Sequence, residues 1–422
     1  MTGLPEGRGP LEGVRVLDLT TAWAGPFAGR VLACLGAEVI HVEAATRLDL
    51  WRAGGHALDP NRYPGFDPGA RHWNRNVLFN SQNHDKLSLC LDVKKPGGRE
   101  TLFELAVRCD LVLTNFTPGT LARMGLDEPA LRERNPGVIV LEMPAFGNSG
   151  PMSGHGALGP SMEFAAGMSS FIGHGDGQPL PTGPAYLDPI GGYNAAAAAM
   201  TALVARLRIG EGQAIEMSQV EAAMPFIGEL ILHAIETGEA PAPDGNHVPW
   251  AAPHDAFPCA GEEAWVAIGA ADEDAWHALC GVIGMLELAA DPRFATLDAR
   301  LRHRGELFEP LARWTRQRSK HEAAALMQAA GVHAAPVQNG RDVAVDSYLH
   351  ARGFFTTLDH GEAGRHAYQG LPFHFSDTPA GAHRAAPLLG EHTEAILREV
   401  LGLGEDEIAS LAAAGTTSAD PA

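Results

Sequence analysis

The chain has 422 residues, of which 45% are hydrophobic and 19% are charged, a composition typical of folded globular proteins and unlike disordered or fibrous ones. This length favours at least two domains. The 31 basic and 51 acidic side chains give a formal charge of −20, so nucleic acid and anionic membrane surfaces are poor candidate partners.

Short apolar runs alternate with helix-compatible stretches in the first part of the chain. The predicted strands cover residues 14–19, 39–42, 110–114 and 138–143, and the predicted helices cover 27–35, 97–108 and 121–133. Alternation of this kind indicates an α/β fold whose parallel sheet is covered on both faces. Glycine and proline cluster over 147–184, which predicts a long irregular connection.

The second half of the chain begins with an alanine-rich stretch at 193–208, which contains no glycine or proline and predicts a helix. A second helical stretch at 219–237 leads into the turn-rich segment 240–253, where we place a boundary. A smaller mixed lobe follows, with a strand at 265–268 and helices at 272–283, 301–316 and 320–330. From about residue 334 the pattern returns to strands and loops.

Cysteine usage and the N-terminal sequence indicate a reduced, cytoplasmic protein. The five cysteines are scattered and odd in number, and neither a CxxC pair nor an HExxH arrangement occurs, so we expect no metal site. The first residues lack the basic-then-apolar order of a signal peptide, and no apolar run of about 18 residues follows. We therefore expect no membrane partner.

Nucleotide-binding and hydrolase motifs are weak or missing. The turn at 20–26 holds one glycine where the GxGxxG fingerprint needs three. Neither GxxxxGK[ST] nor GxSxG occurs in the sequence.

Asp188 is the most informative carboxylate, because it directly precedes the predicted alanine-rich helix. The free N–H groups and the positive end of a helix favour a charged carboxylate there. One interpretation is that Asp188 merely caps this helix. It leaves Gly191 and Gly192 unexplained, since two glycines at a helix entrance destabilise it unless something approaches the backbone closely. We therefore consider Gly191–Gly192, and also Gly245 within 244–246, as donors of backbone N–H groups to a ligand.

Many segments, in order along nearly the whole chain, resemble the class III CoA-transferases of the CaiB/BaiF family. The N-terminal ones include LEGVRVLDL at 11–19 and LGAEVIHVE at 35–43, and the C-terminal ones include DPRF at 291–294 and LGEHT at 389–393. Between them lie matching segments at 24–26, 86–92, 114–119, 123–126, 146–151, 210–213 and 330–337.

The resemblance implies an α/β fold with a Rossmann-like large domain and a smaller α+β domain, in an interlocked, ring-like homodimer. We accordingly assign residues 1–225 to the large domain, 240–330 to the small domain and 331–422 to a return segment that joins the large domain. The implied substrates are an acyl-CoA and a carboxylic acid, with the CoA thioester as substrate and no tightly bound cofactor.

The resemblance also implies site residues. It makes Asp188 the catalytic aspartate, which would carry CoA as an aspartyl-CoA thioester. The implied CoA-binding residues are Asn115 and Arg123 at the nucleotide portion, Ala22, Trp23 and Ala24 at the thioester end, and Lys86 within the matching segment 86–92. Ala44 stands where the family often has a basic residue after the second strand, a departure that affects the adenine or phosphate contact.

Three points stay open from the sequence. Related 2-methylacyl-CoA racemases carry a histidine 30 residues before the aspartate, where this chain has Leu158, so transfer is favoured over racemisation. Glu163 is either an ordinary first-turn charge of a helix or a second catalytic carboxylate that assists Asp188. A third alternative is a non-catalytic subunit of a hetero-oligomer, which the presence of Asp188 disfavours.

Overall fold

The computed structural model describes residues 9–53, 58–175, 177–240 and 242–421. Residues 1–8, on which the expectation about a signal peptide partly rests, lie outside these ranges. The chain divides into two compact units. The first comprises Met1–Ser169, Pro181–Ala240 and Leu349–Ala422, and the second comprises Ser170–Leu180 and Pro241–Tyr348.

A six-stranded parallel sheet forms the centre of the first unit. Its strands are β1 (Arg15–Asp18), β2 (Glu38–Glu43), β3 (Leu87–Cys90), β4 (Leu111–Thr114), β5 (Ile139–Glu142) and β6 (Ala214–Glu216). They lie in the order β3-β2-β1-β4-β5-β6, which confirms the predicted parallel sheet. The order reverses between β1 and β4, and such a reversal is where open α/β sheets bind ligands.

Helices cover both faces of this sheet, so its strands are almost continuously apolar. The longer helices are α1 (Ala24–Cys34), which packs with α9 (Leu187–Ile209) on one face, and α5 (Gly98–Val107) on the other. The shorter ones are α2 (Leu50–Ala53), α3 (His72–Arg75), α4 (Val77–Asn83), α6 (Thr120–Met124), α7 (Glu128–Arg132), α8 (Gly159–Ala165), α10 (Gln219–Ala223) and α11 (Gly228–Thr237). Single 3₁₀ turns occupy Pro60–Arg62, Pro64–Phe66, Met168–Ser170 and Met224–Ile227.

Several boundaries differ from the expectation. The alanine-rich helix α9 begins at Leu187 rather than near residue 193, so it includes Asp188. The stretch 121–133 is two helices, because Gly125 adopts a left-handed φ of 73° that ends α6. Strands β3 and β6 were not predicted, and β6 has only three residues in which a periodic pattern could appear.

The second unit is built on a three-stranded antiparallel sheet. Its strands are β7 (His254–Pro258), β8 (Trp265–Gly269) and β9 (His333–Val337). Its helices are α12 (Glu273–Ile283), α13 (Leu286–Ala290), α14 (Leu297–Arg302), α15 (Arg304–Thr315), α16 (Lys320–Ala329) and α17 (Gly340–Ala344). Along β8 the side chains alternate between buried and exposed, so only one face of the sheet contacts the core around Trp276. Because β9 pairs with β8, this unit extends past residue 330 to Tyr348.

The last part of the chain returns to the first unit. It contains α18 (Ser347–Ala351), the hairpin β10 (Phe355–His360) and β11 (Gly364–Gln369), α19 (Thr393–Glu399) and α20 (Glu405–Ala413). The Cys90 N–H donates to Thr393 Oγ1 at 2.9 Å, and the Asp92 N–H donates to the Thr416 carbonyl at 2.7 Å. These bonds hold the C-terminal segment beside strand β3.

Candidate functional site

The turn at 20–23 connects β1 to α1 at the point where the strand order reverses. Asn115, just beyond the end of β4, binds this turn in both directions. The Thr21 N–H donates to Asn115 Oδ1 at 2.9 Å, and Asn115 Nδ2 donates to the Thr21 carbonyl at 2.8 Å. Asn115 therefore holds the turn with its own amide, a role that the sequence did not predict.

Asp188 is the second residue of α9, where its carboxylate lies close to the N-terminus of α1 as well. Burial raises the pKa of Asp188 to about 6, even though the backbone N–H of Ala24 lowers it. Ala24 is the first residue of α1, so its N–H has no partner within that helix. The capping interpretation is wrong in its geometry, because Tyr186 occupies the N-cap of α9.

Glu163 lies in α8 and is fully buried. Its carboxylate accepts hydrogen bonds from the Thr182 N–H at 3.0 Å, from Thr182 Oγ1 at 2.7 Å and from the Tyr186 N–H. Its negative charge also contributes to the raised pKa of Asp188. Glu163 thus fixes the backbone that enters α9 and acts on Asp188 through its charge.

Gly159 makes room for the Asp188 carboxylate. A Cβ atom at this position would lie 2.1 Å from Asp188 Oδ2 and 2.5 Å from the Cβ of Ala185. Only a residue without a side chain can therefore occupy the first position of α8 and leave the carboxylate in place. The sequence offered no signal for this contact, because the two residues come from separate helices.

The glycine pair 191–192 has a packing role. A Cβ on Gly192 would lie 2.8 Å from both the Ala24 carbonyl oxygen and Phe27 Cδ1, and one on Gly191 would lie 2.9 Å from Gln219 Oε1. Both residues are inside α9, where backbone N–H groups bond to carbonyls one turn earlier. The expectation that they donate to a ligand is therefore corrected, since the close neighbours are α1 and Gln219.

Lys86 is also placed differently from the expectation. Its side chain is fully buried and its ammonium donates to Asp18 Oδ2 at 2.7 Å, to the Pro26 carbonyl at 2.8 Å and to Asn83 Oδ1 at 2.8 Å. An ammonium has three donors, and all three are used within the protein. Lys86 has none left for CoA.

The other predicted residues fall in two places. Trp23 follows Ala22 in the 20–23 turn and contacts Trp51 edge-to-face at 5.4 Å between ring centroids. Arg123 is exposed in α6, after the same strand end as Asn115, where its guanidinium donates to Thr120 Oγ1 at 2.7 Å. Gly245 belongs to the second unit, where it adopts a left-handed φ of 61° in a turn.

A cavity in the second unit lies away from these carboxylates. It has a volume of about 850 Å³ and belongs to the second unit, with His254, Gly269 and His333 in its wall. None of the predicted catalytic residues lines it. We base the candidate site on the carboxylates of the first unit, where burial raises the pKa of Asp188.

One group of potential metal ligands occurs among the described residues, comprising Cys34, His84 and Asp85. Its atoms already bond to one another, because His84 Nδ1 lies 2.6 Å from Asp85 Oδ2. Burial raises the pKa of the Cys34 thiol well above its usual range, which keeps it protonated and a poor metal ligand. In the described part of the chain, no helix is both long and apolar enough to cross a membrane.

Together, the fold and the site define a doubly wound α/β protein with a half-buried, ionisable carboxylate close to the reversal of its sheet. The family model for CoA-transferase family III matches residues 11–393. The chain is 33% identical over 404 residues to a succinyl-CoA–D-citramalate CoA-transferase of Chloroflexus aurantiacus, which covers 96% of this chain and 97% of that protein. It is 32% identical to a formyl-CoA:oxalate CoA-transferase of Rhodopseudomonas palustris, over 95% of this chain and 96% of that protein.

A solved structure gives the same result. The crystal structure of a CaiB/BaiF family protein from Brucella suis superposes with a TM-score of 0.84 at 29% identity, covering 93% of this chain and all of that one. The chain belongs to CoA-transferase family III, and it is a class III CoA-transferase.

Proposed function

We propose that this CoA-transferase uses Asp188 as a covalent nucleophile to move CoA from an acyl-CoA donor to a carboxylic acid. The observation that carries the proposal is the environment of the carboxylate. Asp188 lies at the start of one helix and beside the first N–H of another, and no cation is among the described groups that shift its pKa. A carboxylate without a bound counter-ion keeps its electron pair available for attack.

The first half of the reaction loads CoA on the enzyme. An oxygen of ionised Asp188 attacks the thioester carbonyl carbon, the C–S bond breaks, and a mixed anhydride and CoA thiolate result. The thiolate then attacks the Asp188 carboxyl carbon of the anhydride. The donor acid leaves as a carboxylate, and Asp188 holds CoA as an aspartyl thioester.

The second half reverses these steps with the acceptor. Its carboxylate attacks the aspartyl thioester, the CoA thiolate leaves, and the thiolate then attacks the acceptor acyl carbon of the new anhydride. The products are the acceptor's acyl-CoA and free Asp188 carboxylate, without net change in protons or electrons. A carboxylate is a modest nucleophile, so the rate depends on positioning and on donors aimed at the developing charge.

Binding of CoA is proposed at the 20–23 turn and the adjacent end of β4. Ala22, Trp23 and Ala24 adjoin the Asp188 carboxylate through the Ala24 N–H, which supports their place at the thioester. Asn115 and exposed Arg123 follow β4, and Arg123 offers a positive charge for a CoA phosphate. The assignment of Gly245 as a backbone donor stays a prediction.

We further propose that the chain forms the interlocked homodimer expected for this family and acts in the cytoplasm. The return of the C-terminal segment to the first unit supports a chain path of this kind. Sedimentation of the purified protein would measure its mass, and a monomer would contradict the proposal.

Asp188→Asn tests the chemistry. We expect at least a 10⁴-fold loss of turnover, because an amide cannot form the anhydride. The folded protein should be no less stable than the wild type above pH 6, since ionisation of a carboxylate whose pKa is raised by folding opposes folding there. Asp298→Asn is the matched control, because Asp298 is likewise the second residue of a helix, α14, but is exposed. Full turnover by Asp188→Asn would rule out the mechanism.

Trapping of the intermediate identifies both the residue and the donor. The enzyme would be incubated with succinyl-, formyl-, acetyl- or aromatic acyl-CoA and then quenched with hydroxylamine, which converts an aspartyl thioester to a hydroxamate. We expect mass spectrometry to find the hydroxamate on the peptide that contains Asp188, and only with productive donors. A hydroxamate on another carboxylate would reassign the nucleophile.

A further inference from the structure

Asp49 joins two distant parts of the first unit through one carboxylate. Its Oδ1 accepts the N–H of Trp51 at 2.7 Å, a bond within the start of the short helix α2. Its Oδ2 accepts the N–H of Ala22 at 2.7 Å, although Ala22 is 27 residues away in the chain. The side chain is buried, with 7% of its surface exposed. Each oxygen of the Asp49 carboxylate therefore accepts a hydrogen bond from one backbone N–H.

The backbone that Asp49 holds has an unfavourable conformation. Ala22 has a φ of 63°, in the left-handed region that residues with a Cβ rarely adopt. Such a conformation persists only when surrounding contacts fix it. The bond from Asp49 supplies one such contact at Ala22 itself, and Asn115 supplies two at the preceding residue, Thr21.

Ala22 determines where α1 begins relative to Asp188. Trp23 and then Ala24 follow it directly, and the backbone N–H of Ala24 lowers the pKa of Asp188. Ala24 also lies close to the start of α9, since a Cβ on Gly192 would be 2.8 Å from its carbonyl oxygen. The two elements that Asp49 joins also meet through their side chains, in the edge-to-face contact of Trp23 with Trp51. If Ala22 were released, the backbone N–H of Ala24 would therefore move relative to the Asp188 carboxylate.

We propose that Asp49 is a positioning residue for the transfer reaction: it holds Ala22 in its left-handed conformation and so directs the Ala24 N–H to the Asp188 carboxylate. This inference rests on the proposed function of Asp188. Asp49 itself does not touch the reacting atoms in this arrangement, and it acts through the backbone of the 20–23 turn.

The charged groups around both carboxylates are few. Besides the Ala24 N–H, the group that acts on Asp188 is Glu163 of α8. Asp49 is influenced by His41 and Glu43 of β2, and it acts on Lys86. Burial raises the pKa of Asp49, while its two backbone donors oppose that effect. Removal of Asp49 should thus change the position of the Ala24 N–H relative to Asp188, while the charge of Glu163 stays in place.

Two substitutions of Asp49 distinguish its local bond to the Trp51 N–H from its distant bond to the Ala22 N–H. Asp49→Asn keeps only one acceptor oxygen for the N–H groups of Trp51 and Ala22. The local bond at the start of a helix is the one that asparagine favours, so its NH₂ group, which cannot accept, should face the Ala22 N–H. Asp49→Ser keeps a side chain suited to the start of a helix but lacks the reach to Ala22. Both variants should therefore keep α2 and lose the hold on the turn.

The measurement is the titration of Asp188 itself, by ¹³C NMR of protein labelled at the aspartate carboxyl carbons, with the Asp188 signal identified by its loss in Asp188→Asn. We expect the midpoint to lie near 6 in the wild type. It should rise by roughly half to one pH unit in Asp49→Asn and Asp49→Ser, because the ionised form loses a donor. The acid limb of kcat/KM should move by the same amount, and kcat at neutral pH should fall about 10-fold.

Asp92→Asn is the matched control, since Asp92 is also 7% exposed and also accepts an N–H two residues ahead, that of Lys94 at 2.9 Å. Its variant should leave the midpoint and the acid limb unchanged. An unchanged midpoint in both Asp49 variants would overturn the proposal. If Asp188→Asn kept its turnover, the proposed nucleophile would fail instead, and the NMR midpoint would still decide the role of Asp49.

Discussion

Two regions of the first unit bury a carboxylate, with opposite consequences. In the core cluster of Asp18, Lys86 and His41, the Asp18 carboxylate is fully buried. Burial opposes its ionisation, but the charge of Lys86 and the interaction with His41 outweigh that effect and hold the pKa of Asp18 below its usual range. At Asp188, burial acts without a cation and with Glu163 nearby, and the pKa rises to about 6.

The difference shows that burial alone does not set the reactivity of a carboxylate. The ammonium of Lys86 and the hydroxyl of Thr20 occupy the oxygens of Asp18, which leaves that group a structural role. At Asp188 the backbone N–H of Ala24 only partly offsets the effect of burial, so the group stays basic enough to react. Both groups meet the same turn, since Thr20 is the first residue of the 20–23 turn and Ala24 follows it.

Among the substitutions that distinguish the Asp18 cluster from the surroundings of Asp188, Lys86→Met should have the largest effect on stability. It leaves the Asp18 charge buried without its main partner, and breaking such a pair typically costs about 3–5 kcal/mol. Chemical denaturation measures the loss, with exposed Lys94→Met as the control at below about 0.5 kcal/mol. The double variant Asp18→Asn/Lys86→Met should recover part of it. An equal loss in both lysine variants would contradict the comparison.

Gly159→Ala should act on Asp188 without affecting the core cluster. Its Cβ would overlap the position of Asp188 Oδ2, so the carboxylate must move from its present place. We expect kcat/KM to fall roughly 10- to 100-fold, because displacement of a reacting group by about 1 Å has effects of this size. Gly156→Ala is the control, since a Cβ there meets no atom within 4 Å. Equal kinetics of the two variants would show that Gly159 plays no part.

Glu163→Gln should have the smallest effect on activity, and it should shift the pH dependence in the direction opposite to the Asp49 variants. Removal of the negative charge lowers the pKa of Asp188, so the acid limb of kcat/KM should shift to lower pH by roughly half a unit. The thermal midpoint should fall, because the N–H groups of Thr182 and Tyr186 donate to different oxygens of the carboxylate, and an amide keeps only one of them. Exposed Glu229→Gln serves as the control. A shift to higher pH would refute the electrostatic role.

Local patterns in the chain were enough for the fold class. Apolar runs alternating with helical stretches predicted the parallel sheet, because strands covered on both faces must be apolar throughout. Strand β6 escaped prediction, since three residues carry too little periodicity. Strand β3 was missed although it is as long as the predicted strands β1, β4 and β5. The start of α9 was also misplaced, because the predicted helix began only with the alanine-rich run that follows the two glycines.

The candidate site was only partly accessible from the sequence. Asp188 stood out by its position before an alanine-rich helix and by the family resemblance. Glu163 was expected in the first turn of a helix, which is wrong, because it lies beyond the first turn of α8. Lys86 was expected to bind CoA, but it bonds to Asp18, 68 residues away. Gly159 and Asp49 gave no local signal, because their partners, Asp188 and Ala22, are 29 and 27 residues distant in the chain.

The amino-acid sequence by itself determined the fold class, the family and the identity of the conspicuous carboxylate, because these depend on residue type, spacing and order. Only the tertiary structure decided which charges meet. A pKa or a strained turn depends on groups from separate elements that the fold brings within a few ångströms of one another. A cation lies beside Asp18 and lowers the pKa of that carboxylate, whereas burial without such a cation raises the pKa of Asp188.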